Sequence, residues 1–106
     1  MSCGMVNTQG FMDYQGGIHY EVADDTQKLN HEVSLVGWGT TDEGQEYWIG
    51  RNSWGTYWGE HGFFRIDMND GNLKIDTDCI WAVPVVNQIE QNYFYQMAIN
   101  RENNDL

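Results

Sequence analysis

The sequence has few basic side chains. Among its 106 residues, five are Lys or Arg and sixteen are Asp or Glu, so the formal net charge is −11 and the sequence pI is about 4.2. Such a balance repels phosphate groups, which argues against nucleic acids and anionic membranes as partners. It suits a protein that works at low pH, where partial protonation of the carboxylates relieves their mutual repulsion.

Long apolar runs are also missing. No stretch approaches the roughly eighteen apolar residues that a membrane-spanning helix needs. The first ten residues, MSCGMVNTQG, lack the charged and apolar regions of a secretion signal. If the parent protein is secreted, we therefore expect this chain to be a fragment of it. The hydrophobic content of 41% predicts that most of the chain folds, as one small domain.

Cysteine and proline are scarce. Cys3 and Cys79 lie 76 positions apart, which excludes the CxxC spacing of metal and redox sites. The spacing leaves two interpretations open, a single disulfide or two buried free thiols. The only proline, Pro84, is expected at a strand end or a sheet edge.

Glycine and Asp/Asn clusters divide the chain into β segments. We predict strands at residues 18–22, 31–39, 46–54, 62–68 and 79–86. The second and third of these read as an antiparallel hairpin, because their apolar runs flank a six-residue polar loop, TTDEGQ, that contains Gly44.

Little helix is predicted. Apolar spacing favours a short helix within residues 4–14, whose length Gly4 and Gly10 limit. Residues 87–106 are rich in Asn and Gln, and Ile89 and Tyr93 are four positions apart. This last segment is interpreted as a marginal amphipathic helix or a frayed tail.

Three histidines raise the question of a metal site. None of His19, His31 and His61 stands at ligand spacing from another metal-binding side chain, so no metal is expected. We interpret His19 and His61 as turn or surface residues. His31 opens the apolar run EVSLVGWG, which holds its ring at the start of a buried strand and within reach of a cleft. The alternative for His31 is a core histidine bonded to the backbone.

A second polar residue, Asn52, ends the neighbouring strand in the segment RNSWG. The predicted hairpin brings it beside His31. Its amide oxygen can accept a hydrogen bond from one imidazole nitrogen, which leaves the other nitrogen facing a nucleophile. Trp54 follows two residues later, the spacing of one strand face, so its indole is expected to cover the contact.

These segments resemble a known family. NHEVSLVGWG and EYWIGRNSWGTYWGEHGFFRI are similar to the second half of papain-like cysteine peptidases, whose patterns are xHAVxxVGYG and YWxxxNSWGxxWGxxGYxxI. SCG, YQGGIH and IGRNSWG are most like the cathepsin X/Z group of that family. The resemblance implies a β-dominated α+β fold for residues 1–86, a twisted antiparallel sheet or half-barrel with little helix. Residues 87–106 would be a polar tail.

The resemblance also implies roles for single residues. His31 would be the general base and acid, and Asn52 would orient it. Trp54 would shield that pair, and Trp58 would form a wall of the substrate cleft. No cofactor is implied.

Two further features follow from the same resemblance. Cys3 is implied to pair with Cys79 in a disulfide. Glu32 departs from the pattern, because the family usually has a small or apolar residue there. A carboxylate at this position would raise the His31 pKa or alter subsite preference.

The family's nucleophile is absent from the sequence. Its CGSCW motif and its oxyanion-hole glutamine belong to a first half that these residues do not contain. We therefore expect a fragment of a cysteine-type peptidase that is inactive alone. Its partners would be a peptide substrate and the missing N-terminal half, and its action would be carboxypeptidase-like. Its location would be a lysosome-like acidic compartment or the extracellular space.

Two alternatives use the same residues. One is a catalytically inactive member of the family. The other is a carbohydrate-binding β domain, in which exposed Trp and Tyr side chains stack on sugar rings. If the chain is a fragment, apolar surface at Trp54 and Trp58 is expected to be exposed and to favour association.

Overall fold

One six-stranded sheet carries the fold in the computed structural model, which describes residues 1–82, Asn92 and residues 95–100. The elements within these residues are β1 (Ser2–Met5), α1 (Gln9–Met12), β2 (Ile18–His19), β3 (His31–Thr40), β4 (Glu46–Arg51), β5 (Phe63–Asp67) and β6 (Cys79–Ile80). The strand order is β2-β5-β4-β3-β1-β6. Among the described residues, none of the helical segments is long and apolar enough to cross a bilayer.

The sheet is mixed, whereas the sequence predicted an antiparallel one. β2 pairs with β5 in parallel, and the other pairings are antiparallel. β2 lies at one edge of the sheet, and the chain passes through the hairpin of β3 and β4 before it returns to that edge as β5. A long connection of this kind allows the two strands that it joins to pair in parallel.

The predicted hairpin is confirmed. β3 pairs antiparallel with β4, with Trp38 opposite Trp48, and the turn contains Gly44 at a φ of 90°. β4 ends at Arg51, three residues before the predicted strand end. The reason is that the Asn52 N–H leaves the ladder and donates to the carbonyl of Gly62 at 3.0 Å.

The predicted helix over residues 4–14 is wrong at its start. Residues 2–5 form β1, which pairs with β3 so that Met5 lies opposite His31. Cys3 and Met5 are fully buried, and this tertiary packing outweighs the helical spacing of the apolar residues. The helix itself is one turn, capped by the Thr8 hydroxyl, which accepts from the Phe11 N–H.

Two other predicted strands are only partly matched in the described residues. The segment 18–22 forms a strand only at residues 18–19, and of the described residues 79–82 only 79–80 are in a strand. Residues 83–86, which include Pro84, lie outside the described residues. Residues 95–100 are helical, and the rest of the predicted tail, with its boundary at residue 86, also lies outside them.

The core lies on one face of the sheet, beneath α1. Phe11 is fully buried there, and its ring meets Phe64 edge-on at 5.0 Å. A side chain at Gly50 would overlap the Phe64 ring, so β4 requires glycine at that point. The buried apolar residues are Cys3, Met5, Val6, Phe11, Tyr14, Val33, Leu35, Trp58, Phe64, Ile66, Leu73 and Ile75.

A disulfide joins β1 to β6. Cys3 is bonded to Cys79, as the family resemblance implied, and the two residues are also opposite each other in the strand pairing. The bond closes a loop with a sequence separation of 76 residues. It therefore restricts the unfolded chain strongly.

Reduction of this disulfide should lower the free energy of unfolding by about 4 kcal/mol, because the unfolded chain regains the entropy of an open loop. Urea unfolding followed by tryptophan fluorescence, with and without reductant, measures the difference. A Cys3→Ser/Cys79→Ser double variant is the control, since reductant should not change its midpoint. Equal midpoints for the oxidised and reduced chain would contradict the expectation.

Candidate active site

The two polar residues singled out by the sequence meet at one end of the hairpin. His31 is the first residue of β3, and Asn52 directly follows β4. Because the two strands are antiparallel neighbours, the start of one lies beside the end of the other. The Nε2 atom of His31 is 2.9 Å from the Oδ1 atom of Asn52. The predicted contact between these side chains is therefore present.

A second donor fixes the orientation of the Asn52 amide. The backbone N–H of Ser53 lies 2.8 Å from the same Oδ1 atom. A backbone N–H can only donate, so the atom it meets is the amide oxygen and not the NH₂ group. That oxygen can only accept from His31, which puts a proton on Nε2. In the neutral ring Nδ1 is then unprotonated, and within residues 1–82 it makes no hydrogen bond.

An indole covers the imidazole. The ring of Trp54 is stacked on that of His31, with centroids 4.8 Å apart and planes 23° from parallel. The expected cover is therefore observed, but its local cause differs from the predicted one. Residues 53 and 54 lie in a bend after β4 and not in a strand, so the chain turns the indole back over the ring.

The other predicted tryptophan is buried. Trp58 is 8% exposed, its Nε1–H donates to the Met12 carbonyl at 3.1 Å, and its ring meets Trp54 edge-on at 5.2 Å. The expectation that Trp58 is exposed is wrong, because α1 and the aromatic cluster cover it. Only an edge of Trp58 borders a surface hollow of about 580 Å³ beside Tyr57. This packing also removes Trp58 as a platform for sugar stacking.

Asn52 itself is almost fully enclosed. Its side chain and backbone are 4% exposed, and its Nδ2 atom is buried without a hydrogen-bond partner among the described residues. A buried unsatisfied donor costs on the order of 1–3 kcal/mol. An amide that carries this cost and contacts an imidazole is more typical of a functional site than of a stabilising one.

An ion pair closes the loop that carries Asn52, Trp54 and Trp58. Arg65 donates from Nε to Glu60 Oε1 at 2.9 Å and from Nη2 to Glu60 Oε2 at 2.7 Å. The hydroxyl of Tyr14 lies 3.0 Å from Glu60 Oε1. It accepts a hydrogen bond from the backbone N–H of Arg65 at 3.2 Å. The hydrogen bonds from Arg65 lower the pKa of Glu60 to about 2. Burial raises the pKa of Tyr14 to about 12.

The ion pair between Glu60 and Arg65 was not predicted from the sequence. Its only sequence signal is a Glu five residues before an Arg, in EHGFFR. The two side chains meet because the chain reverses between them through His61 at a φ of 55° and Gly62 at a φ of 90°. Such a reversal cannot be read from residue spacing alone.

Glu32 lies on the opposite face of β3 from His31, as strand alternation requires. Its Oε1 atom accepts a hydrogen bond from the Ser2 hydroxyl at 2.8 Å. Within residues 1–82 no hydrogen bond joins Glu32 to the imidazole. The carboxylate instead borders a hollow beside the ring.

Within residues 1–82, the other two histidines, His19 and His61, make no hydrogen bond to Asn52. His61 is exposed in a turn, as predicted. The interpretation of His19 as a turn or surface residue is wrong. It is part of β2 and partly buried, its Nε2 is 2.8 Å from Glu21 Oε1, and its ring meets Phe11 edge-on.

The chain is similar to a known protein family and to proteins of that family. The family model of the papain family cysteine proteases matches residues 1–85. Cathepsin Z of Onchocerca volvulus is 45% identical over 93 residues, which are 80% of this chain and 30% of that protein. A cathepsin L-like proteinase of Fasciola hepatica is 48% identical over 63 residues, which are 59% of this chain and 19% of that protein.

Solved structures give a consistent result. Digestive procathepsin L 3 of Tenebrio molitor superimposes with a TM-score of 0.66 at 40% identity, over 73% of this chain and 25% of that one. The bromelain protease of Ananas comosus gives a TM-score of 0.60 at 30% identity, over 69% and 33%. The chain thus spans a third or less of the length of these relatives.

The neutral His31 ring should carry its proton on Nε2, because the Asn52 oxygen accepts from that atom. Long-range ¹H–¹⁵N spectra of the ring nitrogens above pH 8 distinguish the two tautomers. Replacing Asn52 by Ala should let both tautomers be populated, and the exposed His61 ring serves as an internal reference. A wild-type His31 with the proton on Nδ1 would contradict the assignment.

The Glu60–Arg65 pair should make stability depend on pH in acid. The pKa of Glu60 is about 2, below its ordinary value of 4.5, so the pair stabilises the fold above about pH 4.5 and loses its effect as the pH falls toward 2. The unfolding free energies of wild type and Glu60→Gln should therefore differ near neutrality and converge in acid. Glu43 is an exposed carboxylate in the hairpin turn. The unfolding free energy of Glu43→Gln should therefore follow that of the wild type at every pH. A difference that stays constant down to pH 2 would rule out this linkage.

Proposed function

The chain belongs to the papain family of cysteine proteases, and on that premise we propose that it supplies the histidine and the asparagine of a cysteine-type peptidase site. The observation that carries the proposal is the contact between His31 Nε2 and Asn52 Oδ1, which leaves Nδ1 as the proton acceptor. Both cysteines of the 106 residues are used in the disulfide. The nucleophilic thiol is therefore assigned to a segment outside these residues.

The proposed chemistry follows from the protonation of the His31 ring. Nδ1 takes the proton of the thiol, and the resulting imidazolium keeps its Nε2–H bonded to Asn52. The thiolate attacks the substrate carbonyl, and Nδ1–H then protonates the leaving amine as the C–N bond breaks. In the second half, Nδ1 takes a proton from water as the water oxygen bonds to the acyl carbon, and the C–S bond breaks to release the sulfur as a thiolate beside the imidazolium.

Trp54 supports this chemistry from one face of the ring. A stacked indole excludes water from the His31–Asn52 hydrogen bond and lowers the local dielectric constant. It also prevents the imidazole from rotating away from Asn52. Trp58 and Phe11 back the indole from the core side, so the arrangement is rigid before substrate arrives.

We propose hydrolysis of peptide bonds as a class, including the carboxypeptidase-like action that the family resemblance implies. The proposed location is an acidic, lysosome-like compartment or the extracellular space. The Cys3–Cys79 disulfide supports such a location, because disulfides persist in oxidising compartments.

A catalytically inactive relative is the second candidate. It is favoured by one observation, that both sulfurs of the cysteines are bonded to each other and none is available near His31. In that case the His31–Asn52 pair would be a retained structural contact.

The test joins this chain to the preceding part of a papain-family protease, for which Onchocerca volvulus cathepsin Z is a 45% identical template. A peptide epoxide should label the thiol of the reconstituted protein. His31→Ala should slow labelling and peptide hydrolysis about 10³-fold, the usual contribution of general acid–base catalysis. Asn52→Ala should slow them about tenfold, and His61→Ala should leave them unchanged.

Two outcomes would overturn the proposal. Labelling that is undiminished in His31→Ala would show that the imidazole does not act on the thiol. A reconstituted protein that stays unlabelled, while the same N-terminal part joined to its native C-terminal half reacts, would favour the inactive relative.

A further inference from the structure

A surface hollow of about 320 Å³ lies at the turn end of the hairpin formed by β3 and β4. We call it the indole hollow, and its lining residues are Trp38, Glu46, Trp48 and Met68. It is at the opposite end of the hairpin from His31 and Asn52, roughly 20 Å away along β3. The proposed peptidase chemistry therefore does not use it.

The strand pairing supplies the aromatic walls of the hollow. Trp38 of β3 lies directly opposite Trp48 of β4, and Trp48 lies opposite the fully buried Ile66 of β5. Trp48 packs against the core, whereas Trp38 is 73% exposed. Aromatic side chains at opposite positions of neighbouring strands usually interact. Within residues 1–82, however, these two indoles make no ring contact with each other, and the hollow borders both.

Glu46 supplies a negative charge at the same place. It precedes Trp48 by two residues, which puts both side chains on one face of β4. Its backbone carbonyl accepts from the Met68 N–H at 3.0 Å, and this bond holds Met68 at the edge of the hollow. Within residues 1–82 the exposed carboxylate of Glu46 has no ion pair. The hollow thus joins apolar walls to an uncompensated charge.

The other face of β4 already pairs a cation with an aromatic ring. Tyr47 is the neighbour of Trp48 in the strand and points to the opposite face. The Arg65 guanidinium lies 5.7 Å from the centroid of the Tyr47 ring. Within residues 1–82, no Lys or Arg lies over Trp38 or Trp48 in this way. Tryptophan attracts cations more strongly than tyrosine or phenylalanine, so these two indoles are open to a cation from another molecule.

The lining also selects the kind of cation. A primary ammonium is strongly hydrated and brings three N–H donors, and the hollow offers it the single carboxylate of Glu46. Its entry would leave donors without partners, which is costly. A quaternary ammonium has no N–H donor, and its methyl groups can pack on the indoles and on Met68. It keeps the charge that the ring faces and the carboxylate attract.

We propose that the indole hollow binds a trimethylammonium group. Trp38 and Trp48 contact its methyl groups, and Glu46 balances its charge. Free choline and the trimethyllysine side chain of a peptide both carry this group. The inference does not depend on the peptidase function, because the hollow lies at the other end of the hairpin from His31.

The test titrates the 106-residue chain, with its disulfide intact, with choline at pH 7. The neutral comparison is 3,3-dimethylbutan-1-ol, which has the shape of choline with carbon in place of the charged nitrogen. The indole ¹H–¹⁵N signals of Trp38 and Trp48 report binding, and the signal of Trp81 is the internal reference. Choline should bind about fivefold more tightly than the alcohol, as expected for a cation–π contact at an exposed site.

Variants identify the groups that cause the preference. Trp38→Ala should abolish the preference for choline, and Trp38→Phe should retain part of it, because phenylalanine keeps a weaker aromatic face. Trp81→Ala is the matched control, since Trp81 is 72% exposed and lies after β6. Glu46→Gln should weaken choline binding. Asp25→Asn removes the same charge from the connection between β2 and β3 and should leave binding unchanged.

Three results would overturn the inference. These are equal binding of choline and the neutral alcohol, no binding of either at millimolar concentration, and equal loss of the preference in Trp38→Ala and Trp81→Ala. Acetyl-trimethyllysine amide, titrated in the same way, distinguishes the two sources of the group. Tighter binding than that of choline assigns the hollow to a methylated peptide, and weaker binding assigns it to a small molecule.

Discussion

The hydrogen bond between His31 and Asn52 is the constraint on which the site depends. One amide oxygen accepts from the imidazole and from the Ser53 N–H, so the ring has a fixed tautomer and a fixed direction. The amide remains buried although its Nδ2 atom has no partner in the described part of the chain. An apolar residue of similar size would avoid that cost. The arrangement therefore favours a defined proton position at Nδ1 over maximal stability.

Every element around this bond limits the motion of the ring. The hairpin sets the separation of the two backbones, and the Trp54 indole lies against one face of the imidazole. The Glu60–Arg65 pair holds the far end of the loop after β4. Phe11 links the indole to the core, so a change in core packing would be felt at the site. The site is a direct extension of the sheet and its core.

The sequence predicted those features that depend on local pattern. The hairpin followed from apolar runs around a polar turn, and the contact of His31 with Asn52 followed from the hairpin. The features that were missed depend on distant partners. β1 is a strand because it pairs with β3, and Trp58 is buried because α1 covers it. The parallel pairing of β2 with β5 likewise joins strands that are separated in the sequence by the hairpin of β3 and β4.

The short strand β1 combines three functions in three successive residues. Cys3 anchors it to β6 through the disulfide, Gly4 borders a surface hollow beside His31, and Met5 lies fully buried opposite His31. Because neighbouring strand residues face opposite sides of a sheet, Gly4 is on the face away from the buried pair that flanks it. The shape of the hollow can therefore change at this residue without altering the core packing that holds His31. The core packing and the surface beside His31 are thus separable in β1, although they depend on adjacent positions in the chain.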